Sequence, residues 1–478
     1  MTIVIMKFGG SCLKDENAFR KILKIIEIYR EESKIFIASA LNGITDLLLS
    51  TAQNVNDPKI MDKNMALIEK RHFDIIEQVF EEDSVSYMNT KKWVDEWLSK
   101  LEDTFGDIKE FGLEANYQDY ILSFGEMLST YILNQYLQSK GLESIFIPST
   151  EIIITNDDFN NAYPLYNLTN ERMKRLLIPL LENPKEKPII CVTGFIGRNK
   201  IGNITTLGRG GSDYTATIIA HSLYEVGHDK NIRVILWKDV DGLFTINPKY
   251  ASKSSLIKQL DYIEAKHVAN FGAKILHPKC LEAIEKDKIP LELRNFEKPF
   301  EEINYTRISE KSDKEQIKGI SAEEEAMLIT VSSGSLVDVP GVLATIFKVM
   351  KKNNISVSLV AQTASEVSTS FIIKKKDAQK AITSLKSEEF FSQFFDIKSE
   401  IVAMINITGV KVLDNKTKIK IFQALDKQNI YIKAMAQGTE ELNISLVLKK
   451  EDIFNAMNLI HDSLCEDIEK NNTNCKSK

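Results

Sequence analysis

Residues 346–377 and 421–452 carry one pattern twice, 75 positions apart (421 − 346), with no gap between the matches. Ile346 and Phe347 return as Ile421 and Phe422, Asn354 and Ile355 as Asn429 and Ile430, Ala361 and Gln362 as Ala436 and Gln437. Self-similarity at a fixed period means one supersecondary unit built twice. Each copy reads strand, helix, strand, strand, helix. The first covers 328–332, 342–352, 357–363, 369–374 and 378–385; the second covers 401–407, 418–427, 431–436, 443–448 and 453–464. The last third of the chain is therefore expected to form two small α+β modules. A short strand at 318–320 fits the sheet of either one.

The first half follows a different rule. Short apolar runs at 3–8, 35–40, 144–147, 152–155, 188–193, 234–239 and 291–296 alternate with helical stripes such as Ala18, Ile22, Ile25, Ile26 and Tyr29. That alternation predicts an open, mostly parallel sheet with helices on both faces, whose ligands bind beyond the carboxyl ends of the strands. Residues 50–120 read as charged helices, with His72 a structural residue on an apolar stripe and Trp93 and Trp97 in the core.

Candidate chemistry gathers at the strand ends. Residues 205–216 read TTLGRGGSDYTA, with Gly208 to Asp213 leading into a helical stripe of Ala216, Ile219, Ala220 and Leu223. Glycines allow close backbone approach, a helix start offers free N–H groups to an anion, and Arg209 adds a planar fork. Ser212 or Asp213 is the expected N-cap. After the first strand, Lys7 precedes Gly9, Gly10 and Ser11, which reads as a phosphate cradle or as a plain tight turn; the Walker A spacing is absent. Ser39 to Asp46 reads as a strand-to-helix loop capped by Thr45. SFGEMLST at 123–130 is expected to open a helix, with Glu126 in its first turn facing the positive end of the dipole.

Bulk properties exclude several classes. The length of 478 residues suggests about three domains, and a net charge of −6 gives no basic footprint for nucleic acid. Cys12, Cys191, Cys280, Cys465 and Cys475 show no C-x-x-C spacing, so neither a disulfide framework nor a protein-held metal is expected. No signal peptide and no membrane-length apolar run is evident, and a cytoplasmic protein is the expectation.

KFGGS at 7–11, GFIG at 194–197, TTLGRGGSDYTA, WKDVDG at 237–242 and FGAKILHP at 271–278 together resemble the aspartate kinases of the amino-acid kinase family, and the repeat resembles tandem ACT domains, which are ferredoxin-like. The resemblance spans essentially the whole chain. It implies a catalytic domain at 1–305, ACT-like modules at 306–398 and 399–467, and a polar tail at 468–478. It implies transfer of the ATP γ-phosphoryl group to the β-carboxylate of L-aspartate, with Mg²⁺, as the first step toward lysine, threonine and methionine. Lys7, Asp213 and Lys274 would be catalytic. Ser39, Thr45, Glu126, Phe195, Arg209, Ser212 and Asp213 would bind aspartate, Glu126 taking the ammonium group. Lys7, Phe8, Gly9, Gly10, Ser11, Lys238, Asp239, Phe244, Lys249 and Lys274 would face the nucleotide. An effector, lysine or threonine, would meet Leu336, Val337, Asp338, Gly341, Val342, Ser356, Val357, Ser358, Ser365 and Glu366, and the ACT modules would pair in a homodimer. The alternatives are an acyl kinase of the same fold acting on glutamate or N-acetylglutamate, and a catalytically inactive amino-acid sensor.

Overall fold

The computed structural model describes residues 2–182, 187–227, 231–251, 253–270, 275–300, 304–311, 317–333, 340–362, 368–392, 395–438 and 442–474. Lys274, Leu336, Val337, Asp338, Ser365 and Glu366 lie outside the described residues. The chain divides into two compact units.

The first unit comprises Met1–Leu243, Lys258–Tyr262 and Ile275–Ser312. Its strands are β1 (Ile3–Phe8), β2 (Ser33–Ala38), β3 (Ser144–Ile147), β4 (Ile154–Thr155), β5 (Ile189–Thr193), β6 (Ile196–Asn199), β7 (Ile204–Thr206), β8 (Ile232–Lys238), β9 (Gln259–Leu260), β10 (Leu291–Asn295) and β11 (Tyr305–Ile308). Eight of them form one sheet in the order β3-β5-β2-β1-β8-β10-β11-β9, while β4, β6 and β7 form a small second sheet. All pairings in the large sheet are parallel except β10 with β11. Every residue of β1 is buried, as a central parallel strand covered on both faces requires.

The helices are α1 (Glu16–Ile28), α2 (Ile44–Gln53), α3 (Pro58–Val79), α4 (Val85–Phe111), α5 (Ala115–Ser139), α6 (Tyr166–Leu176), α7 (Ile178–Leu181), α8 (Gly211–Glu225), α9 (Tyr262–Asn270) and α10 (Pro278–Glu285). Val4, Met6 and Phe8 share a core with α1, α3, α4 and α5. On the other face α8 packs on β1, β2 and β8. Local signals explain the helix starts: Asp15 accepts from the Ala18 amide at 2.8 Å, and Asp57 caps α3 ahead of Pro58, whose missing N–H costs nothing at the first helical position. His72 is fully buried, its Nδ1 is 2.7 Å from the Ile68 carbonyl, and burial drives its pKa down to about 4.

The second unit comprises Phe244–Ile257, Ile263–Lys274 and Asp313–Lys478. Its strands are β12 (Gly319–Ser333), β13 (Val357–Gln362), β14 (Ser368–Lys374), β15 (Phe395–Thr408), β16 (Ala434–Ala436) and β17 (Asn443–Lys449), in one antiparallel sheet of order β13-β14-β12-β15-β17-β16. With α11 (Val342–Lys352), α12 (Ala378–Lys386), α13 (Glu389–Ser392), α14 (Asn415–Asp426) and α15 (Ile453–Asn474) this gives the two expected α+β copies, side by side in one sheet. The short stretch near 318–320, from Gly319 on, and the one at 328–332 belong to one strand, β12, which pairs with β15 from Gly319↔Thr408 to Ser333↔Phe395 across a bulge between Glu323 and Ala326. The helix α15 runs on to Asn474, into the stretch expected to be a tail.

Segment 244–257 is an excursion that packs with the second copy. Ile246 and Ala251 share a core with Ile407, Ile421 and Ile460. Thr245 Oγ1 lies 3.1 Å from His461 Nε2, and the Tyr250 ring rests on Phe454 with centroids 5.0 Å apart.

Candidate active site

A cleft of about 480 Å³ opens in the first unit where Lys7 stands one residue before the end of β1, Ser39 follows β2 and Phe195 follows β5. Its lining includes Lys7, Gly10, Ser39, Thr45, Glu126, Phe195, Arg209, Ser212 and Asp213, so one cavity gathers nine positions drawn from five separated segments of sequence.

Asp213 organises the charge. Its Oδ1 is 2.8 Å from Lys7 Nζ and its Oδ2 is 2.7 Å from Lys238 Nζ. Burial alone would raise the Asp213 carboxyl, but the Lys238 and Lys7 ammonium groups override it and hold the pKa at about 2. Burial works against the Lys7 charge, and Asp213 keeps that ammonium above its ordinary pKa. Asp213 thus stays ionised between two lysines, with Lys7 charged beside it.

Glu126 sits 3 % exposed in the opposite wall, with Oε2 lacking a hydrogen-bond partner. Burial raises its pKa to about 8, against backbone hydrogen bonds and the Lys7 charge. The first-turn placement expected for it is corrected: α5 begins at Ala115, so Glu126 stands in mid-helix, away from the dipole's positive end. Gly125 explains the misleading SFGE string. A Cβ there would lie 2.7 Å from the Ala40 Cβ, so this glycine serves close packing of α5 on the loop after β2.

The arginine loop turns on Gly210. It has φ of +72° and is the N-cap of α8, which corrects the expectation that Ser212 or Asp213 caps this helix. Those two residues fall instead in the first helical turn, turned into the cleft. A Cβ on Gly210 would also strike the His277 Cβ at 2.6 Å, so no other residue serves there without movement. Arg209 is exposed on the cleft rim and makes no ion pair with a described residue. Thr45 likewise is not the cap of α2, because Gly43, with φ of +74°, holds that position.

Other expected residues fall elsewhere. The Phe8 side chain is fully buried among Phe36 and Phe296, so only its main chain can face a ligand. Gly9 and Ser11 follow in the turn after β1, and Asp239 is exposed just past β8; none of the three lines the cleft. Phe244 and exposed Lys249 belong to the second unit. In that unit Gly341, with φ of +97°, is the N-cap of α11 and Val342 is buried. Ser356 and Ser358 are exposed on either side of half-buried Val357, at the start of edge strand β13.

Gln118, Leu122 and Asn160 also line the cleft and were not singled out from sequence, because they stand outside the quoted strings. Ala40 to Gly43 and Thr206 line it too, from within the loop at 39–46 and the string at 205–216. Arg71 was also missed, and its Nη1 donates to the Asn42 carbonyl at 2.7 Å, bracing that loop.

Comparison with known proteins fits this arrangement. The amino acid kinase family model matches residues 2–295, and the ACT domain model matches 329–389 and 405–464. The chain is 30 % identical to the bifunctional aspartokinase/homoserine dehydrogenase of Buchnera aphidicola, over 96 % of this chain and 56 % of that protein. It is 28 % identical to the chloroplastic aspartokinase 1 of Arabidopsis thaliana, over 97 % and 80 %. It thus spans just over half the length of the Buchnera relative. Among solved structures, E. coli aspartokinase III in complex with aspartate and ADP (R-state) aligns with a TM-score of 0.80 at 25 % identity, over 97 % of this chain and 99 % of that one. The same E. coli protein with lysine and aspartate (T-state) shares the fold with a TM-score of 0.77 at 24 % identity, over the same shares. With more than half its length matched by one family model, and the sheet and cleft that the sequence resemblance implied, the chain belongs to the amino acid kinase family.

Proposed function

We propose that this chain transfers the γ-phosphoryl group of ATP to the β-carboxylate of L-aspartate, giving 4-phospho-L-aspartate and ADP. The observation that carries this reading is the cleft that holds Glu126, Arg209 and the Lys7–Asp213–Lys238 array together, with neither Glu126 nor Arg209 in an ion pair with a described residue. Glu126 suits an ammonium group. Arg209 suits a carboxylate held bidentately. The remaining carboxylate is then directed toward Lys7. The aspartate and ADP bound by the E. coli relative support the same pair of ligands.

The chemistry asks little of acid–base groups. A substrate carboxylate with a pKa near ~4 is already ionised at pH 7, so no general base is needed. What the chain supplies is alignment of two anions and neutralisation of the charge that spreads over the phosphoryl oxygens. Lys7 and the amides of Gly9 and Gly10 provide that on the phosphoryl side, joined by Lys274. Asp213 holds Lys7 and Lys238 in place.

Both cleft carboxylates have other work, Asp213 with two lysines and Glu126 buried without a cation, so Mg²⁺ would ride on the nucleotide phosphates and water. Bound there, it would neutralise phosphate charge.

Purified protein with Mg-ATP, aspartate and hydroxylamine is expected to yield aspartyl hydroxamate. No hydroxamate under any condition would falsify the proposal.

Regulation belongs to the same reading. The ACT matches, and the lysine bound by the E. coli relative, support an end-product amino acid, lysine or threonine, acting at the first copy near Gly341 and Ser356 to Ser358. The product would lie on the route to lysine, threonine and methionine. Ile401 and Met435, apolar yet exposed on β15 and β16, support a homodimer through this sheet. Calorimetric titration with each amino acid and sedimentation velocity check the two points.

A further inference from the structure

Asp119 is fully buried, one residue after Gln118 of the cleft wall, yet its own side chain does not line the cleft. It is nonetheless tied to the cleft by three hydrogen bonds. Its Oδ2 accepts from the Asn160 amide at 2.9 Å and from the Thr206 amide at 2.8 Å, and its Oδ1 accepts from the Thr206 hydroxyl at 2.7 Å. Asn160 and Thr206 both line the cleft. Three residues beyond Thr206 the chain reaches Arg209. The Asn160 turn also supports that loop from behind: a Cβ on Gly208 would lie 3.2 Å from the Asn160 carbonyl and 2.6 Å from Asn161 Oδ1.

Asp119 and Glu126 stand on the same helix, α5, seven residues apart. Seven residues are nearly two whole turns, which puts both side chains on one face about 10 Å apart along the axis. One rigid helix therefore bears the cleft's unpaired acid at one point and, at the other, the clamp that fixes the strand leading to its unpaired arginine.

We infer that Asp119 is a positioning residue: by clamping β7 and the Asn160 turn to α5 it sets the separation between Glu126 and Arg209, and with it the length of amino acid that the cleft accepts. This rests on the aspartate-kinase reading above. A purely structural clamp would support the fold without favouring one substrate. A spacing device would move the KM for aspartate and leave that for ATP alone.

The test uses the full chain and measures KM for aspartate and for ATP separately. Asp119→Ala is expected to raise the KM for aspartate by about 10- to 100-fold, as small misplacements of binding groups do, with the KM for ATP within about twofold. It is also expected to narrow the preference for aspartate over glutamate. Asp119→Asn is expected to restore most of the loss, because its carboxamide oxygen still accepts two amides and its NH₂ can donate to the Thr206 hydroxyl. If Asp119→Ala does not fold, Thr206→Val removes one of the three bonds and is expected to raise the KM for aspartate alone by a smaller factor. Equal changes in both KM values, or a loss of thermal stability with neither KM moved, overturns the inference. Wild-type protein that forms no aspartyl hydroxamate overturns the underlying reading instead, so the two failures are distinct.

Discussion

Lys238 Nζ lies 2.7 Å from Asp213 Oδ2, and this contact turns a strand end into part of a charge array. With Lys7 on the other oxygen at 2.8 Å, the three side chains carry a formal net charge of +1 (two lysines less one aspartate) around the buried Asp213. An excess cation held out of water is what a phosphoryl group in transfer needs beside it.

Asp213→Asn removes the carboxylate that, among the described residues, pairs with both lysines. Stripping one partner from a buried pair costs about 3–5 kcal/mol, and the expected catalytic loss is about 100-fold or more in kcat/KM. Calorimetry and steady-state kinetics check both. The wild-type carboxyl, at about 2, lies below its unfolded value. Its stabilising contribution is therefore complete above a pH of about 4 and disappears as pH falls toward 2, and the variant should lack that part of the acid transition.

Glu126 has the opposite sign. Its folded pKa of about 8 lies above the unfolded value, so the folded state holds an extra proton and loses stability as pH rises from about 4.3 to 8. A substrate ammonium group favours the ionised form. The KM for aspartate is therefore expected to fall between pH 6 and pH 8. Glu126→Gln should flatten that profile, raise the KM for aspartate by about 10- to 100-fold and stabilise the free protein at pH 8.

Arg209→Lys keeps the charge and loses the planar fork. A lysine cannot reproduce two parallel bonds to one carboxylate. The KM for aspartate should rise by about tenfold or more while the KM for ATP stays constant, read from initial rates with each substrate varied.

His72→Leu tests a group the chemistry does not use. The buried imidazole is neutral, with a folded pKa of about 4, below its unfolded value. Unfolding thus takes up a proton between about pH 6.5 and pH 4, and stability declines as pH falls through that window. The leucine variant should show a shallower loss of Tm there, with kcat unchanged.

Much of this was legible in the sequence because the motifs sit at strand ends. Lys7, Ser39, Phe195 and Lys238 follow or finish apolar runs, and a parallel sheet brings such ends to one edge. The repeat revealed the second unit for a similar reason, since Ile346 and Ile421 fall on matching helices, and Ala361 and Ala436, like Ser370 and Ser445, on matching strands. Glu126 was recognised but misplaced, because a glycine that makes room for Ala40 looks, in a string, like one that starts a helix. Asp119 and Asn160 were invisible, and Thr206 was seen only as part of the string at 205–216. Their role is a set of hydrogen bonds between segments 41 and 87 residues apart, and no local pattern encodes a partner at that distance. The excursion at 244–257 was missed because its apolar residues continue a familiar motif while burying themselves in the repeat.

That excursion limits how such a chain can be shortened. Cutting after residue 312 would remove the repeat but leave Ile246, Tyr250 and Ala251 behind, stripped of the side chains that keep them dry. A lineage could not discard the repeat in a single deletion without also rewriting this inner loop, so the two units are inherited together.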